Sequence, residues 1–195
     1  YFCLPRRLRA WRNGVLLAFS LLFYACGGLS YLPVLLCSIA VNYLCGLLAA
    51  PGRPRALRRA GLWGAAVLGL GLLGWFKYAG FLCANLSRLG VRLDLPPIVL
   101  PIGISFFTFQ GLSYVIDVYR GDAPCQRNPF YVALYVALFP QLVAGPIVRY
   151  STVAQEIIGR EETLSEFSHG TVRFLFGLGK KMLLANAMGE VADAV

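Results

Sequence analysis

Histidine is the first group to look for in a chain of 195 residues, because an imidazole takes and returns a proton near neutral pH. The only one is His169, in Phe167-Ser168-His169-Gly170 at the close of the acidic stretch Glu156 to His169. A general base must sit beside both substrates. This polar setting reads as an exposed loop, so no catalytic residue is assigned within the chain. The remaining candidates are polar side chains stranded in apolar surroundings. Lys77 is one; a charge at the centre of a membrane helix costs about 2.5–3.5 kcal/mol by insertion scales. Its place late in an apolar run favours snorkelling to the outer interface, with a role in a polar cavity as the alternative. Gln110 and Gln141 are suited either to orienting a substrate carbonyl or to bonding across helices, the latter worth about 0.6 kcal/mol. Arg149 and Tyr150 follow Gly145 and Pro146, which puts a cation at the exit of interrupted backbone. There it would receive an anionic group or simply mark a membrane boundary. Asp117 and Arg120, three apart, read as a local ion pair.

Other chemistry finds no support. There is no GxGxxG, no CxxC and no paired acidic motif in an apolar segment, so nucleotide, redox and metal sites are not expected. Of six cysteines, Cys26, Cys37, Cys45 and Cys83 lie in apolar runs and read as unpaired thiols buried among helices. Cys3 and Cys125 fall in polar stretches.

The elements that must carry these groups follow from composition. Hydrophobic residues make up 58% and charged residues 14%, against roughly 25% charged in an ordinary soluble domain. The apolar residues gather into runs of about 16–25, the length that a bilayer demands of a helix. The net charge of +9 is confined to short clusters between those runs, which argues against nucleic acid and for a lipid bilayer as the surroundings. No acid precedes Asp94, whereas Arg6, Arg7, Arg9, Arg12, Arg53, Arg55, Arg58 and Arg59 have already passed. By the positive-inside rule those clusters hold both ends of a helical hairpin in the cytoplasm.

The expected architecture is therefore all-α: a polytopic transmembrane helical protein with about 5–6 membrane segments, some kinked or re-entrant. The first span reads as Gly14 to Leu29 and the second as Tyr31 to Ala50, ended by Pro51, Gly52 and Pro54. A third occupies Leu62 to Leu86, with Gly64, Gly69, Gly71 and Gly74 permitting close approach of a neighbour. It delivers the loop Arg88 to Pro97 to the outer side. Ile98 to Val118 carries too many polar side chains to face lipid all round. After a loop at Arg120 to Asn128, Pro129 to Val148 holds Pro140, Gly145 and Pro146, and reads as a kinked or re-entrant segment. Thr171 to Ala187 resumes helix, with Arg173, Lys180 and Lys181 on one face. A start at Tyr1 and a stop at Val195 inside helix-like sequence suggest a piece of a longer protein.

Several blocks carry a likeness. Trp75-Phe76-Lys77-Tyr78, Leu100 to Gln110 (LPIGISFFTFQ) with Ser113, Tyr114, Asp117, Val118, Tyr119 and Arg120, Phe139 to Tyr150 (FPQLVAGPIVRY), Gly177 to Asn186 (GLGKKMLLAN) and Val191-Ala192-Asp193 come in this order. Together they resemble the alginate O-acetylase branch of the membrane-bound O-acyltransferases. The resemblance implies that residues 1–195 are the N-terminal part of a single transmembrane domain in a bacterial cytoplasmic membrane. It implies acetyl transfer from a cytoplasmic donor, acetyl-CoA or an acyl carrier thioester, to hydroxyls of a polysaccharide on the outer side, with partner acetylation proteins and no bound cofactor. In that family the base is a histidine in a later apolar segment, beyond the end of this chain. D-alanyl transfer to teichoic acid and polysaccharide export are the alternative readings.

Overall fold

The computed structural model describes residues 9–88, 98–142, 145–160 and 163–193, and its described residues are helical without strands. They divide into two compact units, Tyr1–Ile158 and Gly159–Val195.

In the first unit α1 (Arg9–Gly28) passes through a 3₁₀ turn (Leu29–Tyr31) into α2 (Leu32–Ala49). Pro51 and Pro54 follow, lacking the amides that would continue the helix, and α3 (Arg55–Arg88) begins. α4 runs from Ile104 to Arg120. The contacts fix the directions of these helices. Gly27 and Tyr24, late in α1, meet Ile102 and Phe107 near the start of α4, so those two helices are antiparallel. On α2, Asn42 faces Gly111 and Gly46 faces Tyr114, so α2 runs with α4. On α3, Arg58 reaches Tyr119 while Gly69 touches Thr108, so α3 runs against it. The result is an up-down-up-down bundle.

Gly46 and Gly111 are what lets α2 and α4 touch: a Cβ on either would collide with the Tyr114 ring or the Asn42 carboxamide. The glycine reading of α3 needs correction. Gly64 and Gly69 do stand 3.3 Å by virtual Cβ from Cys45 and Thr108, but Gly71 and Gly74 have nothing within 4 Å. The closest approach is at Gly61, where a Cβ would lie 2.6 Å from the Cys45 carbonyl. Likewise Cys45 is buried, whereas Cys26 and Cys37 are exposed on outer helix faces.

The expected helix start at Ile98 moves to Ile104, because Pro101 and Gly103 precede it and Gly103 takes φ +72°. A side chain there would be strained and would strike the Leu142 carbonyl. The segment after Asn128 is broken as expected. α5 (Pro129–Ala137) starts on an Asn128 cap and gives way at Leu138 to the short α6 (Phe139–Leu142). Pro140 explains the break, since it offers no N–H to the carbonyl four residues back and its ring crowds that carbonyl. α7 (Tyr150–Gly159) follows.

Two helical stretches among the described residues, Trp11–Ala49 and Arg55–Arg88, are long and apolar enough to cross a membrane. The first is interrupted by the 3₁₀ turn.

The second unit holds α8 (Leu164–Lys180), a π-helical turn (Lys181–Ala185) and α9 (Asn186–Asp193). Here the loop expected around His169 is helix instead. Thr163 and Glu166 form a reciprocal capping box that starts α8 five residues before the histidine. His169 is exposed, and no described residue of this unit is buried. Cys3 and, past Arg88, the loop Arg88 to Pro97 that was expected on the outer side lie outside the described residues.

Candidate functional site

The functional residues read from the sequence part company in three dimensions. Gln110 and Gln141 come together: the Gln110 carboxamide, 4% exposed, donates to Gln141 Oε1 at 3.0 Å and to the Tyr135 carbonyl at 3.4 Å. This joins α4 to the broken segment beside its break. At the break itself the Phe139 amide donates to Ser20 Oγ, in the middle of α1, at 3.3 Å.

Seven residues further along α4, about 10 Å at 1.5 Å per residue, stands Asp117. It does not pair with Arg120, which is exposed. Instead Asp117, 3% exposed, accepts the Ser151 amide at 3.0 Å through Oδ2. Ser151 is in the first turn of α7, where amides lack helical partners and the dipole favours a negative charge. The Asp117 carbonyl accepts from Gly121, Asp122 and Ala123 and closes the end of α4.

Tyr150 is fully buried, edge-on to Tyr114 and Tyr135 with ring centroids 4.8 and 5.1 Å away. Tyr135 donates its hydroxyl to the Val148 carbonyl at 2.7 Å. Arg149, between these two fixed neighbours, is exposed. Lys77 lies elsewhere: it is exposed on α3 with its ammonium 5.6 Å from the Tyr78 ring centroid, and nothing joins it to the Gln110–Gln141 pair.

Tyr150 was among the candidates read from the sequence; Tyr114, Tyr135 and Asp117, which gather around it, were missed as part of a site. One signal was available: Asp117 is the sole acid within the apolar run Ile98 to Val118, and an acid in such a run needs a partner.

Charge gathers at the same end of the bundle. Arg58 donates to the carbonyls of Ala49 and Tyr119, the last turns of α2 and α4, and lies 5.1 Å from the Tyr119 ring centroid. The loop after α4 docks on α2, with Tyr43 donating to the Arg127 carbonyl at 2.8 Å and Cys125 to the Gly46 carbonyl. Burial pushes the Cys125 thiol up from its ordinary value. Asn13, in the first turns of α1, donates to the Ile157 carbonyl of α7 at 2.8 Å. α5 and α6 therefore enter the bundle from the arginine-rich end and reach Ser20 and Gln110, and Val148 to Tyr150 stand again at that end. Among the described residues no cluster of His, Cys, Asp or Glu is able to hold a metal ion.

The chain is 40% identical over 190 residues to the probable alginate O-acetylase of Pseudomonas putida, covering 94% of this chain and 39% of that protein. It is 37% identical over 199 residues to the probable alginate O-acetylase of Azotobacter vinelandii, covering 99% of this chain and 39% of the relative. It is 32% identical over 202 residues to the peptidoglycan O-acetyltransferase of Helicobacter pylori, covering 89% and 38%. The chain thus spans 35–39% of the length of the curated relatives it matches. No family model matches it, and no solved structure matches it significantly. The resemblance read from LPIGISFFTFQ and FPQLVAGPIVRY is borne out by these relatives.

Proposed function

We propose that this chain is the N-terminal part of a membrane-bound O-acyltransferase that carries acetyl groups from a cytoplasmic thioester to hydroxyls of an extracytoplasmic polysaccharide. The observation that carries the reading is the 40% identity to an alginate O-acetylase over 94% of the chain. Acetyl transfer to alginate-like chains is preferred to transfer to peptidoglycan because the identity to the latter's enzyme is lower, at 32%. Neither D-alanyl transfer nor export is named among the relatives.

The geometry supports a division of labour. The four alternating helices are read as membrane segments of a multi-pass protein in a bacterial cytoplasmic membrane, with the arginine-rich end on the cytoplasmic side. The segment 129–150 is then re-entrant from the cytoplasm, as backbone broken at membrane depth must be sheltered by protein. In the reaction a polymer hydroxyl attacks the thioester carbonyl, a base takes its proton, and the thiolate leaves. The buried carboxamide of Gln110 and the half-buried one of Gln141 offer hydrogen bonds at the depth where the segment turns. Arg149 offers a cation on the donor's side. His169, exposed on α8, is not assigned as the base; that imidazole is expected in the part of the relatives beyond this chain.

The test uses the complete protein in membrane vesicles supplied with labelled acetyl-CoA, an acetylated acyl carrier, an alginate-type polymer and peptidoglycan. Label on the hydroxyls of the uronate polymer is expected, and H169A is expected to keep it. Absence of label on either polymer with both donors would refute acetyl transfer, and an inactive, folded H169A would refute the assignment of the base.

A further inference from the structure

Arg149 is mounted in a way that an ordinary boundary arginine is not. The residue before it is tied through its carbonyl to the Tyr135 hydroxyl at 2.7 Å. The residue after it, Tyr150, is 0% exposed and wedged against two rings. The next amide, that of Ser151, is held by the Asp117 carboxylate at 3.0 Å. Only the Arg149 side chain points out of this clamp, exposed and without a partner among the described residues.

The choice made by Asp117 matters as much as the clamp. Burying a carboxylate is costly unless it is charge-paired or hydrogen-bonded; Arg120 lies three residues along the chain, and Arg149 two residues before the Ser151 that Asp117 holds. The acid is nevertheless satisfied by a main-chain amide at a helix start, so neither guanidinium is neutralised by it. A cation on a fixed backbone with no internal counter-ion meets an anion without first breaking an internal ion pair, and a guanidinium binds phosphate through two parallel N–H groups.

We propose that Arg149 is a subsite for the phosphate of the acyl donor and that Asp117 is its positioning residue, acting through the first turn of α7. The inference rests on the acyl-transfer reading. The chemistry shared by the two donor sources is a phosphate attached to a pantetheine arm that ends in the thioester: in coenzyme A it continues to a nucleotide, and in a carrier it continues to a protein.

The experiment measures donor KM and kcat for the complete protein in vesicles, with acetyl-CoA, an acetylated carrier and acetyl-pantetheine, which has no phosphate. R149Q is expected to raise the KM for the physiological phosphate-bearing donor about tenfold, with a much smaller change in kcat, as loss of uniform binding requires. For acetyl-pantetheine it should change nothing, and whichever phosphate-bearing donor loses more from R149Q identifies the source. D117A should raise donor KM in the same direction, and D117N, which keeps an oxygen to accept the Ser151 amide, should restore most of it. The D117A/R149Q pair should be no worse in donor KM than R149Q alone, because one residue acts through the other. Equal penalties with and without phosphate, additive effects of the two changes, or no rescue by D117N would overturn the proposal. If the wild type transfers no acetyl group, the reading of the reaction fails separately, and binding of coenzyme A to the solubilised protein decides the subsite. Weaker binding to R149Q sustains it, and equal or absent binding removes it.

Discussion

α4 and α8 are both 17 residues long and both carry polar side chains at helical spacing. In α4 nine residues are buried, among them Thr108, Gln110 and Asp117; in α8 none is. Their sequences do not announce that difference. It arises because α4 packs among α2, α3 and the broken α5; there Gln110 finds Gln141 and Asp117 finds Ser151, while the Thr108 hydroxyl is buried without a partner among the described residues. On α8 the stripe Glu166, His169, Arg173 and Lys180 is exposed. A polar residue in an apolar run is thus evidence of function only after its surroundings are known.

Substitutions can break this contrast. The largest effect is expected from Tyr150→Ala, which removes a fully buried ring from between two others. It should cost about 3–5 kcal/mol, whereas Phe174→Ala on exposed α8 should stay within about 0.5 kcal/mol. Thermal unfolding in detergent reads both, and equal losses would abolish the distinction.

Next comes a matched pair of glycines. Gly111→Ala drives a methyl into the Asn42 carboxamide and should destabilise by about 1–3 kcal/mol. Gly177→Ala meets nothing within 4 Å and should stabilise helix α8 by up to about 1 kcal/mol. The same melts measure the signs. A smaller loss than that at Tyr150 or Gly111 is expected from Thr163→Ala, which deletes one side of the capping box and should lower α8 stability by about 1 kcal/mol. Amide exchange across Leu164 to His169 would speed up, and unchanged protection there would mean that the box does not start the helix.

How much of this could be read from the sequence depends on whether the cause was local. The breaks at Pro51, Pro54 and Pro140 were legible, because a missing amide acts on its own turn. The helix around His169 was also legible from Thr163 and Glu166, a capping spacing that the acidic character of the stretch obscured. The start of α4 was misplaced by six residues, since Gly103 adopts its positive φ against Leu142, a neighbour that only the folded chain supplies. Gln110 and Gln141 were recognised singly but not as a pair. The link from Asp117 to Ser151 spans 34 residues, and a local rule could only offer Arg120 as a partner. Gly71 and Gly74 show the converse error: small residues permit close approach, but nothing approaches them.

α5 and α6 lead from the arginine-rich end of the bundle to the level of Ser20, and Arg149 stands back at that end; the proposed topology puts that end in the cytoplasm. That topology is tested by placing a single cysteine at Arg149, R149C, in the complete protein with its native cysteines changed to serine. A membrane-impermeant maleimide is then applied to inside-out and right-side-out vesicles, with G52C in the loop before α3 as the cytoplasmic reference. The account predicts that both positions label in inside-out vesicles and are protected in right-side-out ones. Labelling of R149C from the outer face, while G52C stays protected, would contradict it.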